Sequence, residues 1–220
     1  METKEGLLGL LKHGFTVGDP LDVGINILGI SPNIEGTSYA VVSVNRECLS
    51  ILDTKVFNSS DQINEGIEYI REYKKGKDWN FISHLAIGGP LFGSSGLEKD
   101  PNSKFIADFG VKLWNGLPDE SFTCVDKIDK KSIFDPFMPQ EKDLEEILKQ
   151  NASSLIPNIR IAKAVCYGIY HFIKGGFIGP QLSDMATVQD NDPSLKLCYN
   201  WAVHRYLIEN HGRFDEEVEE

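Results

Sequence analysis

The stretch from Gly24 to Asn45, GINILGISPNIEGTSYAVVSVN, decides the fold. Ile25-Asn26-Ile27-Leu28-Gly29-Ile30 is mostly apolar and rich in β-branched residues, which suits a buried strand over residues 25–31. Ser31-Pro32-Asn33-Ile34-Glu35-Gly36 follows, with proline, asparagine and glycine to turn the chain. Tyr39, Val41 and Ser43 then alternate with Ala40, Val42 and Val44, so a second strand is expected over 38–44, and a third over 49–57. A strand, a polar turn and a returning strand place that turn at the mouth of a sheet, where active sites are often built.

Working outward, Ser59-Ser60-Asp61 offers a helix cap, and Ile63, Ile67, Ile70 and Tyr73 recur at helical spacing up to a Lys-rich, Gly76-containing end. Phe81 to Ile87 predicts a fourth strand, ending in Gly88-Gly89-Pro90. Phe105, Ile106, Phe109, Leu113 and Trp114 mark the apolar side of a second helix, and Phe122 to Val125 a short fifth strand followed by Asp126. Leu144, Ile147 and Leu148 suggest a short amphipathic helix. Asn158 caps a longer one bearing Ile161, Val165, Ile169 and Phe172, closed by Gly175-Gly176. The last helix starts near Asp192-Pro193, with proline in a first-turn position. Three strands in short succession, then strands alternating with helices, imply an α/β fold: a five-stranded mixed sheet with a meander at one edge, covered by helices. We expect one domain over 25–212, a leader over 1–24 and an acidic disordered tail over 213–220.

A chain of 220 residues with 41% hydrophobic residues and three tryptophans is globular and buries a sizeable core. No apolar run approaches the roughly 20 residues that span a bilayer, so no membrane association is expected. Leu7 to Leu11 lacks a basic leader and reads as a helix turn, not a signal peptide. Cys48, Cys124, Cys166 and Cys198 are far apart, as isolated buried thiols of a reducing cytoplasm would be. The net charge is −11; five of the last six residues are acidic, which leaves −6 for residues 1–214. That balance counts against a broad phosphate-binding face. Lysine clusters at Lys74, Lys75 and Lys77, and at Lys127, Lys130 and Lys131, read as solvated surface.

The hairpin resembles a known family. Ile27-Leu28-Gly29-Ile30-Ser31-Pro32-Asn33, with Thr37-Ser38-Tyr39-Ala40-Val41-Val42, is similar to the first hairpin of RuvC-type resolvases of the RNase H-like superfamily, where an I-L-G-I-D-P-G strand end precedes a T-G-Y pair. Leu85-Ala86-Ile87-Gly88-Gly89-Pro90-Leu91 is similar to the I-D-A-P-L strand end of a predicted-nuclease family in that superfamily. Asn191-Asp192-Pro193-Ser194-Leu195 is similar to its D-A-L-type final helix. The resemblance implies an RNase H-like fold in which carboxylates from the first strand, the fourth strand and the last helix converge on Mg²⁺. Magnesium is a hard cation that takes oxygen ligands, and a two-metal site clamps the attacking and leaving oxygens.

This sequence departs from that pattern. Ser31 stands at the first-strand acid and Gly88 or Gly89 at the fourth-strand acid; only Asp192 keeps a carboxylate. The resemblance therefore implies a nuclease fold with a degenerate site, binding a nucleic acid or nucleotide through Ser31, Asn33, Gly88 and Gly89 as a regulatory module. The alternative is an active Mg²⁺- or Mn²⁺-dependent nuclease with displaced acids, Glu35, Asp126 and Asp192 being catalytic and Asp192 the metal ligand. A third reading, from the overall acidity, is a protein-interaction domain. Against these, Glu35 reads as a solvated loop acid, Asp53 as outward-facing, and Asp192 as a helix cap. Ser31 has no G-x-S-x-G elbow, His204 and His211 stand too far apart for a zinc pair, and the glycines from Gly88 to Gly96 match no phosphate-loop pattern. Core packing accounts for Trp79, Trp114 and Trp201.

Overall fold

A computed structural model describes residues 24–45, 48–75, 82–88, 101–117, 122–125, 148–150, 155–175 and 188–211. The elements, in chain order, are β1 (Ile25–Ser31), β2 (Thr37–Val44), β3 (Leu49–Phe57), α1 (Gln62–Lys75), β4 (Ile82–Gly88), α2 (Pro101–Gly116), β5 (Phe122–Val125), α3 (Ile159–Lys174), a 3-10 turn (Gln189–Asn191) and α4 (Pro193–His211). β1 pairs antiparallel with β2, from Ile25 opposite Val44 to Ser31 opposite Ser38, and β2 pairs antiparallel with β3. On its other side β1 runs parallel to β4, which runs parallel to β5. The order across the sheet is β3-β2-β1-β4-β5. The α/β class and the mixed sheet flanked by helices, expected from the sequence, are present.

β1 is central and buried on both faces, which is why it reads as an almost unbroken apolar run instead of an alternating one. Leu28 and Ile30 point to one face with Tyr39, Val41, Leu85 and Ile87, where Ile63, Ile67 and Ile70 of α1 and Ile106, Phe109 and Leu113 of α2 cover them. Ile25 and Ile27 point to the other, with Ala40, Val42, Val44 and Ala86, under α3 and α4. Gly29 belongs to this second face. A Cβ there would lie 1.8 Å from the carbonyl oxygen of Ala164, so its lack of a side chain lets α3 lie directly on the sheet. α3 begins where the sequence put its cap: Asn158 Oδ1 accepts the N–H of Ile161 at 3.0 Å. It ends at Gly175, whose N–H donates to the His171 carbonyl at 2.9 Å.

Two expectations need correction. Cys166 and Cys198 are buried, yet not isolated: they meet across the α3–α4 contact, Cys166 Sγ donating to the Cys198 carbonyl at 3.7 Å and Cys198 Sγ to that of Ala162 at 3.8 Å. Trp201 is buried, but Trp114 is half exposed, because α2 turns Ile106, Phe109, Gly110 and Leu113 inward and leaves Trp114 beside that stripe. Trp79, Gly89, the loop 90–96, Asp126, the Lys77 and Lys127–Lys131 segments and the termini 1–23 and 212–220 lie outside the described residues, as does most of the helix expected around Leu144. No helix among the described residues is long and apolar enough to cross a membrane.

Candidate functional site

The parallel pair β1 and β4 sets the place to look. β1 connects to β2 on one side, and β4 connects by way of α2 to β5 on the other, so the strand order diverges between them. In open α/β sheets such a switch point opens a crevice for ligands. Ile30 is in register with Ile87, so Ser31 and Gly88 stand side by side there, and Gly88 is in register with Val125. Alternation along the strands turns Ser31, Ser38 and Gly88 toward the α3 face.

Gly88 is a tightly packed position. A Cβ at this position would lie 2.0 Å from the Tyr167 ring of α3. The aromatic ring occupies the volume where a side chain at residue 88 would project, and a carboxylate there would have to displace it. Ser38 Oγ and Thr37 Oγ1, beside the same strand end, are buried without a hydrogen-bond partner among the described residues. Such hydroxyls cost desolvation with no bond to offset it.

The turn from Ser31 to Gly36 is held by the first turns of three helices. Within it, Asn33 Oδ1 accepts the N–H of Glu35 at 2.9 Å, and the Asn33 carbonyl accepts that of Gly36 at 3.0 Å. From α1, Gln62 Oε1 accepts the Thr37 N–H at 2.7 Å while Nε2 donates to the Ile34 carbonyl at 3.1 Å. From α2, Asn102 Oδ1 accepts the Ile34 N–H at 2.9 Å. From α3, Arg160 donates to Glu35 Oε2 at 2.7 Å and to the Glu35 carbonyl at 3.3 Å. Three helix N-termini therefore face one edge of the sheet, and each carries a partial positive charge. Glu35 is an exposed loop acid whose carboxylate is already engaged by a guanidinium.

Asp192 is placed elsewhere. Its Oδ1 accepts the Leu195 N–H at 2.9 Å, capping α4. The turn before it is fastened to the start of β3: Val188 bridges Leu49, and Gln189 Oε1 accepts the Ile51 N–H at 2.9 Å. Ile51 lies opposite Val42 and hence in line with Ile27, whereas the Ser31 row runs through Ser38 to Val56. Four residues of strand separate the two rows on β1 and β2, about 13 Å. The structure thus brings Ser31, Asn33, Glu35 and Gly88 to one edge and anchors the Asp192 turn toward the other. Asp126 and Gly89 lie outside the described residues. Asp53, half-buried, accepts the Tyr69 hydroxyl at 2.8 Å, a structural tie between β3 and α1.

A magnesium or manganese ion does not fit the described residues of this edge. A neutral serine, a glycine filled by a tyrosine ring and a glutamate paired to arginine offer too little negative oxygen for such an ion. Among the described residues, no three His, Cys, Asp or Glu side chains gather where a metal would be held. Sequence reading missed Gln62, Asn102, Arg160 and Tyr167, since nothing local to them signals an approach to residues 31–37 or 88.

No protein-family model matches the sequence, and no curated protein matches it. Among solved structures, the chain is similar to T. thermophilus RuvC in complex with Holliday junction substrate, at 10% identity over 68% of this chain and 95% of that one, TM-score 0.48. It is also similar to the Fowlpox virus resolvase in complex with Holliday junction DNA, at 12% identity over 67% of this chain and 99% of that one, TM-score 0.42. A further structure of Thermus thermophilus RuvC gives 13% identity over 69% and 97%, TM-score 0.38.

Proposed function

We propose that this chain is an RNase H-like nuclease-fold protein with a degenerate metal site, which binds nucleic acid or a nucleotide at the carboxyl edge of β1 and β4 as a regulatory module. The observation that carries the reading is the Gly88–Tyr167 contact: an aromatic ring fills the volume a second metal-binding acid would need. In place of clustered carboxylates the edge offers Ser31, Asn33, the Arg160 guanidinium and three helix starts, groups suited to phosphate oxygens. Arg160 is the cation that would meet a phosphate, and Glu35 competes with the phosphate for it.

The net charge of −11 predicts weak, salt-sensitive binding confined to this edge. The test is fluorescence anisotropy with single-stranded, duplex and four-way-junction DNA at low salt, in EDTA and then with Mg²⁺ or Mn²⁺. Binding that survives EDTA, weakens in Arg160→Ala and strengthens in Glu35→Gln supports the proposal. Absence of binding to every probe at low salt contradicts it and leaves the acidic protein-interaction domain as the better reading.

A further inference from the structure

At the opposite edge of the sheet, two imidazoles from different elements meet. His84 lies on β4, in register with Ile27, four residues before the Ser31 end of β1. His171 lies in the last turn of α3, and the two ring centroids are 5.1 Å apart with planes inclined at 45°. Nδ1 of His171 is buried without a hydrogen-bond partner among the described residues. A buried nitrogen without a partner leaves part of the imidazole's bonding capacity unused, and a metal ion is one way to use it.

We propose that His84 and His171 form a two-imidazole site for a borderline divalent transition ion of the Zn²⁺ class, with water completing the coordination. The geometry carries it. Two imidazoles bound tetrahedrally to zinc, with Zn–N of about 2.0–2.1 Å, have ring centres about 5 Å apart. The pair already stands at that separation, so binding needs rotation of the rings and no movement of β4 or α3. The site sits at the C-terminal end of α3, where the helix carries partial negative charge and favours a cation. The opposing charge is Lys174, whose ammonium is drawn aside over the Tyr170 ring, 5.9 Å from its centroid. Imidazole donors select Zn²⁺, Cu²⁺ or Ni²⁺ over Mg²⁺ and Ca²⁺, so this site would not respond to the ions of the nuclease superfamily. It is also independent of the proposed function, which concerns the other edge.

The test is titration of the whole chain with Zn²⁺ in a weakly coordinating buffer, followed by calorimetry, with Co²⁺ absorption as a second probe. We expect one equivalent bound, no competition from excess Mg²⁺, and at least tenfold weaker binding in both His84→Gln and His171→Gln, while His13→Gln and His211→Gln bind as the natural chain does. No binding, or affinity unchanged in both His84→Gln and His171→Gln, overturns the proposal. Should either substitution unfold the chain, paramagnetic broadening by Cu²⁺ in the natural protein decides: broadening concentrated on the His84 and His171 ring signals supports the site, and broadening centred on other histidines contradicts it.

Discussion

At the scale of single residues, space and desolvation govern this protein more than charge does. Gly88 and Tyr167 are a steric pair, and Gly88→Asp, the change that would place an acid at the strand end, is predicted to destabilise the chain by about 1–3 kcal/mol through overpacking. Urea denaturation measures it, and a shift below about 1 kcal/mol would mean that the ring moves freely. Tyr39 gives the opposite case. Its hydroxyl is buried, has no partner among the described residues and abuts Gly66, and burial together with the Glu65 charge pushes its pKa far up. Tyr39→Phe removes an unpaired polar atom and keeps the edge-to-face ring contacts with Phe57 and Tyr69, so it should leave stability unchanged or raise it by up to about 1 kcal/mol in the same assay.

His171 supplies the pH dependence. Burial, then the charges of His84 and Lys174, lower its pKa from 6.5 to about 4. The unfolded chain therefore takes up this proton before the folded one does. Its contribution to stability is complete above pH 6.5 and is lost as pH falls toward about 4. The loss amounts to about 3 kcal/mol across that window in metal-free protein. His171→Gln should flatten that part of the stability–pH curve, which thermal melts at several pH values would register.

At the scale of elements, the turn after β1 is a small structure built by distant parts of the chain. Gln62 satisfies the buried Thr37 N–H, so Gln62→Ala strands that donor and should cost about 1–3 kcal/mol. The exposed Arg160–Glu35 pair contributes at most about 1 kcal/mol, and breaking it should alter ligand binding more than folding. Asp192 caps α4, so Asp192→Ala should cost about 1 kcal/mol, whereas Asp192→Asn, which retains a capping oxygen, should cost little.

Local chemistry made the elements legible. Asn158 marks a helix start by its capping side chain and Pro193 another by its fixed φ in the first turn, and the hairpin's alternation marks its strands. The site was legible only in part. Ser31, Asn33 and Gly88 sit at strand and turn ends, where the sequence points directly to an edge. Arg160 reaches Glu35 across 125 positions, Asn102 reaches Ile34 across 68, and no periodicity encodes either contact. Asp192 was legible as the cap of α4 but not in its position relative to the sheet. Its place after a turn and before a helix was read correctly, but the attachment of that turn to Leu49 and Ile51 depends on which sheet edge lies open, a property of the whole fold.

At the scale of the whole molecule, the sheet separates two kinds of chemistry. The carboxyl edge of β1 and β4 gathers helix starts, hydroxyls and an arginine; the other end of the β4–α3 contact gathers two imidazoles. The central claim is the proposal made for the first: that this crevice binds phosphate without divalent-metal hydrolysis. The most direct measurement is a single-turnover assay on labelled four-way-junction, duplex and single-stranded DNA with Mg²⁺ or Mn²⁺, at protein concentrations where anisotropy shows the probe bound. Intact bound strands in both metals are the predicted result. Metal-dependent phosphodiester cleavage that Asp192→Asn abolishes, with the fold preserved, would contradict the account.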